Sequence, residues 1–598
     1  MSDTVLIPRS QVPKEQTWNA ESVFATREAW QAEYEALAQD LPQLAQHSQI
    51  DSAASLLAYL EASQLLMRRV RTLYMYASLA ANVDANDKDA RAMMGQALGH
   101  YGQLGGLVAF YEPRLLELGR EQVLAWADEL PELAIYRTHF EEVFRQAPHT
   151  LGAEAEAILG GMSEILEGPY STSSDLSNSD FKFGTVKTST GTDFPVSQPT
   201  INIALQSPDR DLRRAAWNAY ADQYLAYKNT LASTYLTSVK ANVFLARTRR
   251  FESVLHHKLF PQALPVEVFH NLMTVFKRNL PLWHRFWDVK RRLLAYERFA
   301  TYDIWAPMTH KEPKVSYAQS VDWIAKGLEP LGEAYVTTLK RGCLQERWVD
   351  YAVNEGKRQG AFSSGSYDSF PFIMMSYEEA LGGMSTLAHE LGHSLHSYHT
   401  VKTQPPIYAN YGMFAAETAS NFNQAMTRAY LFQQNLGRDF ELALIQEAID
   451  NFHRYFFIMP TLARFELEVH SRMEQGKPLN ADALCAIMSD LYAEGYGAGF
   501  DDDRERTGIT WAQFPHLYEA FYTFQYATGI SAAHALSEGI LAGEAGAAER
   551  YLNFLRAGSS VPPLEALKLA GVDMTTPEPI ERAFGVLGRL IDRLESLI

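Results

Sequence analysis

The sequence has very little cysteine and no excess of basic residues. Only Cys343 and Cys485 occur in 598 residues, and they form no Cys-x-x-Cys pair, so a disulfide framework is excluded. We expect both thiols to be buried as small apolar side chains. Lys and Arg together number 53 against 71 Asp and Glu, which gives a net charge of −18. This acidity disfavours nucleic acid and anionic membranes as partners.

The sequence also lacks long apolar runs and the pattern of a secretion signal. No stretch of 18 apolar residues occurs, so no segment is expected to span a membrane. Residues 1–9 do not show the basic head and apolar core of a signal peptide. These absences predict a cytoplasmic protein, and they leave its oligomeric state open.

Helical periodicity dominates what the sequence does contain. Residues 18–160 follow a helical pattern, and helical patterns return from residue 209 towards the C-terminus. Between them, strand-like segments flank Gly191 and predict a small β-hairpin. We therefore predict a mainly α-helical protein with two parts. The first is an N-terminal helical region, residues 1–205, that ends in the hairpin, and the second is a catalytic region, residues 206–598.

Residues 386–396 contain the motif His-Glu-x-x-His. On an α-helix, at about 100° per residue, His389 and His393 lie about 40° apart and one turn from each other. Two imidazoles so placed can hold one Zn²⁺, with Glu390 beside them as a general base for a water molecule. Three leucines occupy the opposite face, which lets the helix bury its back. The alternative is a histidine pair that belongs to the core and binds no metal.

A catalytic Zn²⁺ needs a third protein ligand, and two residues are candidates. His399 stands six residues after His393, but the metzincin pattern that uses such a histidine has glycine at position 396, where this chain has His396. Glu417 stands on a later predicted helix, which residues 410–412 can separate from the first. We favour Glu417 as the third ligand, and we expect His396 to support the ligands or to be structural.

A stretch rich in Gly and Ser at residues 356–377 interrupts the helical pattern before this motif. Residues 370–377 predict a short strand, and hence a small β-sheet near the metal helix. As an edge strand it would pair with an extended peptide through main-chain hydrogen bonds, which makes Phe372 and Ile373 candidate substrate-binding residues. The alternative is a strand that only closes a small sheet.

Together these segments resemble oligoendopeptidase F, within the M3 family of zinc metallopeptidases. The resemblance is carried by Gly360-Ala361-Phe362 and by residues 371–375, 386–397, 417–423 and 516–529. It implies a large multi-helical zincin-type fold with a deep substrate channel. It also implies one Zn²⁺ per chain, held by His389, His393 and Glu417, and cleavage of short peptides in the cytosol.

The segment at residues 516–529 carries a His-x₅-Tyr-x₃-Tyr layout. The resemblance implies that His516 and Tyr522 stabilise the transition state and that Tyr526 contacts the substrate. The alternative is an aromatic core. Two positions depart from the family pattern: Gln424 stands where members often carry Glu, and Ser376-Tyr377 stands where they often carry Asn-Phe.

The predicted function is a zinc-dependent endopeptidase that hydrolyses internal bonds of short peptides. Zn²⁺ would lower the pKa of a water molecule towards about 7, and Glu390 would move its proton to the leaving amine. A metallocarboxypeptidase of helical fold is the runner-up, because it also combines His-Glu-x-x-His with a downstream Glu. A zinc aminopeptidase is less favoured, since no stretch of the Gly-x-Met-Glu-Asn type occurs. A peptide-binding scaffold without catalysis would not need Glu390.

Overall fold

The computed structural model describes residues 6–309 and 311–598, and most of them are helical. The α-helices are α1 (Arg27–Asp40), α2 (Ala53–Val83), α3 (Lys88–Val108), α4 (Tyr111–Leu118), α5 (Arg120–Glu129), α6 (Pro131–Ala134), α7 (Arg137–Gln146), α8 (Ala153–Gly161), α9 (Ser163–Asp175), α10 (Ile201–Leu205), α11 (Arg210–Ala226), α12 (Lys228–Thr248), α13 (Val254–Leu259), α14 (Val266–Arg278), α15 (Leu280–Leu293), α16 (Tyr317–Gly327), α17 (Glu333–Leu344), α18 (Leu381–Thr403), α19 (Met413–Phe432), α20 (Arg438–His453), α21 (Met459–Glu474), α22 (Ala481–Tyr496), α23 (Arg504–Gly508), α24 (Phe524–Leu541), α25 (Ala547–Ala557), α26 (Pro563–Leu569) and α27 (Glu578–Ser596). The predicted, mainly α-helical fold class is confirmed.

The strands are short and form three small sheets in the described part of the chain. They are β1 (Thr185–Lys187), β2 (Asp193–Pro195), β3 (Phe299–Ala300), β4 (Val349–Asp350), β5 (Phe362–Ser364), β6 (Phe372–Met374) and β7 (Phe500–Asp501). Strands β1 and β2 are antiparallel, and Gly191 in the turn between them has a φ of +84°, so the predicted hairpin is present. Strands β3 and β7 pair in parallel. The third sheet has the order β4-β6-β5.

The contacts between residues divide the chain into two compact units, each discontinuous in sequence. The first unit comprises Met1–Pro148, Lys314–Leu431 and Leu536–Gly571. The second comprises His149–Pro313, Phe432–Ala535 and Val572–Ile598. The boundary predicted near residue 205 follows a different criterion, the change in sequence pattern, and stays a prediction.

The N-terminal helices of the first unit enclose its larger apolar core. Trp30 of α1, Tyr59 of α2 and Phe140 of α7 are each 1% exposed or less. The indole N–H of Trp30 donates to the carbonyl of Leu73 at 2.9 Å, so the buried polar group of the tryptophan has a partner. This core anchors α2, which begins at a side-chain cap from Ser52 and runs for 31 residues.

A smaller core joins α2 to the three-stranded sheet. Its buried members are Trp18, Met75, Leu79, Val83, Phe372 and Met374. Because Phe372 and Met374 point into this core, Ile373 points to the opposite face of β6. On that side lies α18, where the hydroxyl of Ser394 donates to the Pro371 carbonyl at 3.2 Å. The sheet is thereby placed against α18, and the predicted small sheet near the metal helix is present.

Strand β6 is the central strand of its sheet, so the prediction that it is an edge is wrong. It pairs in parallel with β4 on one side and antiparallel with β5 on the other. The Ile373 N–H donates to Trp348 at 2.8 Å, and both Phe372 and Ile373 are 0% exposed. Main-chain pairing of a substrate at these two residues is therefore blocked, because β4 and β5 already occupy both sides. The edge next to α18 belongs to β5.

The second unit has an aromatic core and a buried ion pair. Trp283 and Trp287 of α15 stack with ring centroids 5.5 Å apart, and Phe457 packs against both. Arg213 and Asp303 are both 0% exposed, and their charged groups are 2.8 Å apart. Each charge thus has a partner where water is excluded.

The sequence led us to expect no membrane-spanning segment and two buried thiols. None of the helices within residues 6–309 and 311–598 is both long and apolar enough to cross a bilayer. Both cysteines are free thiols; Cys343 is buried as expected, whereas Cys485 is half-buried.

Candidate metal centre

Helices α18 and α19 of the first unit bring His389, His393 and Glu417 together. The two histidine Nε2 atoms are 3.2 Å apart. The carboxylate oxygens of Glu417 lie 3.6 Å from the Nε2 of His389 and 3.9 Å from that of His393. Ligand atoms at 2.0–2.2 Å from a tetrahedral Zn²⁺ are separated by about 3.3 Å, so the spacing of these donors fits one ion.

A glycine allows the two helices to approach closely enough for this geometry. A Cβ atom added to Gly392 would lie 2.4 Å from the Ala419 carbonyl oxygen and 2.6 Å from the Cα of Ser420. Any side chain at position 392 would therefore push α19 away from α18. The absence of a side chain here lets Glu417 reach the histidines of the neighbouring helix.

Gln424 determines which nitrogen of His389 can bind a metal. The Nδ1–H of His389 donates to the amide oxygen of Gln424 at 3.2 Å, which leaves Nε2 as the lone-pair donor. The amide nitrogen of Gln424 donates to the hydroxyl of Ser385 at 2.8 Å, and this bond fixes the orientation of the amide. The chain thus holds one of the histidines in the tautomer that a metal requires.

The donor set carries negative charge in a buried place. Burial lowers the pKa of His393 well below its usual value, so this imidazole is neutral. Glu417 is 5% exposed, and burial raises the pKa of its carboxyl. The hydroxyl of Ser420 donates to Glu417 at 3.1 Å and orients the carboxylate. Two imidazoles and a buried carboxylate are ligands for a divalent cation of the zinc type.

Glu390 lies beside the two histidines on α18 and is 6% exposed. Burial raises the pKa of its carboxyl to about 7, a value suited to proton transfer near neutral pH. The backbone of Ser363 in β5 is a hydrogen-bond partner of this carboxylate. Its Oε2 atom is buried and has no hydrogen-bond partner within the described residues, which suits an oxygen that receives a proton from a water molecule.

The main chain of β5 at Ser363 faces away from the sheet. The Ile373 N–H donates to the Trp348 carbonyl, on the side of β4. The residues before and after Ile373 on β6 therefore direct their main-chain groups towards β5, where they pair with Ser364 and Phe362. The N–H and C=O of Ser363 therefore point to the free side of β5. The Ser363 side chain adds a hydroxyl contact of 2.8 Å to Ser394 on α18.

The other histidines of α18 pack against aromatic rings. His396 stacks on Tyr411 with ring centroids 3.6 Å apart, and His399 stacks on Tyr335 at 5.6 Å. Burial lowers the pKa of His396 to about 3 and that of His399 to about 4, so both are neutral. The structure gathers Glu417, and not His399, with the first two histidines.

His516, Tyr522 and Tyr526 form an aromatic cluster of their own in the second unit. The hydroxyls of Tyr522 and Tyr526 are 3.1 Å apart, and the His516 ring lies at a centroid distance of 6.1 Å from Tyr522. Burial lowers the pKa of His516. Tyr526 also stacks on Tyr455, at 5.1 Å, a residue that no sequence motif pointed to. The roles expected for the three residues stay predictions.

Most of the sequence matches a known family. Residues 203–586 match the model described as Peptidase family M3, and residues 114–183 match the model described as Oligopeptidase F. The chain belongs to peptidase family M3. It is therefore a metalloendopeptidase, a hydrolase of peptide bonds, and the resemblance stated from its motifs is confirmed.

Relatives of this M3 peptidase align with it over nearly its whole length. Oligopeptidase PepF from Bacillus subtilis is 36% identical over 593 residues, which cover 99% of this chain and 88% of the relative. A solved structure from Chlamydophila abortus has 34% identity and a TM-score of 0.89, covering 99% of this chain and 100% of that one. The crystal structure of oligoendopeptidase-F from Enterococcus faecium has 29% identity and a TM-score of 0.75, covering 96% and 99%.

Proposed function

We propose that this M3 peptidase is a zinc-dependent oligoendopeptidase that cleaves internal bonds of short peptides. The observation that supports this proposal best is the set of three donors on α18 and α19, with Glu390 beside them. Two histidines and a glutamate are the protein ligands of several zinc peptidases, and three ligands leave one position open. A bound Zn²⁺ would polarise the scissile carbonyl and acidify a water molecule.

The proton is carried by Glu390. Its unpartnered Oε2 accepts a proton from the attacking water, and the same carboxyl then donates that proton to the leaving amine. The hydrogen bond from the Ser363 backbone keeps the carboxylate in place on the free side of β5. His389, His393 and Glu417 hold the ion, and Gln424 keeps His389 in the required tautomer.

The peptide substrate is proposed to pair with β5 and not with β6. Ser363 lies on the edge strand next to Glu390. Its outward N–H donates to that carboxylate, and its outward C=O can accept a hydrogen bond from a substrate N–H. Pairing at this edge would align an extended peptide by main-chain hydrogen bonds, which depend little on its sequence. This arrangement is consistent with an enzyme that accepts many short peptides.

His516 and Tyr522 are proposed, from the family resemblance, to donate hydrogen bonds to the oxyanion, and Tyr526 to contact the substrate. An imidazole N–H and a phenol O–H are both suitable donors for a developing negative charge. The deep substrate channel, the limit on substrate length and the cytoplasmic location also stay predictions. The identity of the metal belongs to the same proposal, since the donor set fits zinc without excluding other divalent ions.

One experiment separates this function from its alternatives. An internally quenched peptide blocked at both ends is incubated with the purified enzyme, with the enzyme stripped by a chelator, and with the stripped enzyme plus one equivalent of Zn²⁺. We expect cleavage that is lost on stripping and restored by zinc. A carboxypeptidase or an aminopeptidase would leave this peptide intact, and a scaffold would show no turnover. Folded proteins in the same assay should stay uncut, and their digestion would contradict the proposed restriction to short peptides.

A further inference from the structure

Glu466 is a carboxyl group in the second unit that the proposed mechanism does not use. It lies on α21 and is 0% exposed. Burying a carboxyl is unfavourable unless hydrogen bonds compensate the loss of water. Both of its oxygens make such bonds to a single short segment, residues 521–523, more than 50 positions further along the chain.

The two hydrogen bonds flank Tyr522. The N–H of Phe521 donates to Oε1 of Glu466 at 2.8 Å, and the hydroxyl of Thr523 donates to Oε2 at 2.7 Å. Thr523 is 0% exposed, so its hydroxyl has no access to water as an alternative partner. One side chain therefore fixes the residue before Tyr522 and the residue after it.

The backbone at this point needs such support. Phe521 has a φ of +57°, in the left-handed region that residues with a Cβ atom rarely adopt. Its ring is held between Phe269, at a centroid distance of 5.6 Å, and His470, at 5.1 Å. The bond to Glu466 satisfies the N–H that this unusual conformation turns towards α21. Without it, an extended or right-handed conformation would be favoured, and Tyr522 would point elsewhere.

We infer that Glu466 is a positioning residue, which holds residues 521–523 so that the Tyr522 phenol is presented next to Tyr526 and His516. The inference rests on the proposed role of Tyr522 in catalysis. The role of Tyr522 then depends on the carboxyl group of Glu466, which is far away in sequence. The side chain acts through Tyr522, so it should affect turnover more than substrate binding.

The test is a double-mutant cycle on the full-length enzyme with the blocked, internally quenched peptide. Glu466→Met keeps the length of the side chain and removes both hydrogen bonds. We expect kcat to fall by about 10²-fold, the effect of a misplaced catalytic group, with KM changed by less than about threefold. In the Tyr522→Phe background the same substitution should lower kcat by less than about threefold, because the phenol it positions is already gone.

Conservative variants distinguish positioning from a general loss of stability. Glu466→Gln can still accept the Phe521 N–H and hydrogen-bond to the Thr523 hydroxyl, so it should retain kcat within about threefold of the wild type. Thr523→Val removes one of the two bonds and should give an intermediate loss. Ser531→Ala, which removes a buried hydroxyl bond of 2.6 Å to Ala527 within α24, is the matched control and should leave kcat unchanged. If Glu466→Met does not fold, Thr523→Val takes its place in the double-mutant cycle with Tyr522→Phe.

Three results would overturn the inference. The first is an equal loss of kcat from Glu466→Met in the presence and absence of the Tyr522 hydroxyl. The second is an effect on KM alone, and the third is a Gln variant as inactive as the Met variant. If the wild-type enzyme itself does not cleave the peptide, the proposed function fails instead, and this outcome is seen before any variant is made.

Discussion

The Nδ1–H of His389 donates to the amide oxygen of Gln424 at 3.2 Å, so a neutral side chain, and not a carboxylate, orients this imidazole. A neutral partner fixes the tautomer but adds no negative charge to the ring. The amide is held in turn by Ser385 at 2.8 Å. The affinity of the site for zinc should therefore depend on position 424 even though Gln424 is not a ligand.

Replacing Gln424 by Leu should weaken zinc binding by about 10- to 100-fold, the usual effect of losing a partner of a metal-binding histidine. Zinc affinity is measured by competition with a chromogenic chelator. Thr427→Val is the matched control, because Thr427 is a buried residue of α19 whose hydroxyl donates to the Asn423 carbonyl of its own helix at 2.7 Å. Gln424→Glu should bind zinc more tightly than the wild type. If Gln424→Leu binds zinc as the wild type does, the orienting role is wrong.

Gly392→Ala should separate α18 from α19. The added methyl group would lie 2.4 Å from the Ala419 carbonyl oxygen, so one helix must shift. We expect a loss of about 1–3 kcal/mol in the free energy of unfolding, as for other overpacked sites, and weaker zinc binding, measured by thermal unfolding and by metal analysis. Gly382→Ala lies on the same helix with nothing within 4 Å of the new Cβ, and it should be neutral or stabilising. Equal behaviour of the two variants would contradict the close-contact argument.

Glu417→Ala should lose the metal, whereas His399→Ala should keep it. Glu417 has its carboxylate 3.6 and 3.9 Å from the two histidine nitrogens, and His399 stacks on Tyr335 instead. The zinc content of both variants after dialysis, measured by atomic absorption, decides between them. His399→Ala should be less stable than the wild type, since it loses a half-buried ring that stacks on Tyr335, but it should contain one zinc per chain. The reverse result would move the third ligand to position 399.

Glu390→Gln should retain zinc and lose turnover. The amide keeps the size of the side chain but cannot take a proton from water, so kcat should fall by about 10²- to 10⁴-fold, the range for general acid–base groups. Zinc content is measured on the same sample, because a loss of metal would give the same kinetic result for another reason. Appreciable residual activity in a fully zinc-loaded variant would remove Glu390 from the role of general base.

The sequence could indicate the three donors that the structure brings together, because their signal is local. The spacing of His389 and His393 depends only on helix geometry, and the helix that carries Glu417 follows after a short break. The position of β6 was predicted wrongly for the opposite reason. Whether a strand is central or at an edge depends on its partners, and β4 contains only two residues, too few to show any periodicity. The edge strand β5, which we propose as the substrate edge, could be found only once the pairing was known.

The contacts of Glu466 were also beyond prediction from the sequence. The bonds to Phe521 and Thr523 connect residues 55 and 57 positions apart, and no motif marks such pairs. The left-handed conformation of Phe521 could not be predicted either, because a φ of +57° is normally found at Gly or Asn and not at Phe. The one signal in the sequence was that Glu466 stands among apolar residues on a predicted helix. An acidic side chain in such a position more often faces solvent than lies buried, so the signal did not predict a buried carboxyl.

Glu466 should also make the stability of the protein depend on pH. Burial raises the pKa of its carboxyl to about 8 from its usual 4.5, although hydrogen bonds from Thr523 and Phe521 oppose this shift. The folded protein therefore keeps a proton that the unfolded chain releases, and stability from this group is lost as the pH rises from 4.5 to 8, by about 1.4 kcal/mol for each pH unit. Glu466→Gln cannot titrate, so its melting temperature relative to the wild type should rise from pH 5 to pH 8, both proteins being kept metal-free to remove zinc linkage. A relative melting temperature that stays constant or falls over this range would show that the carboxyl is already ionised in the folded protein.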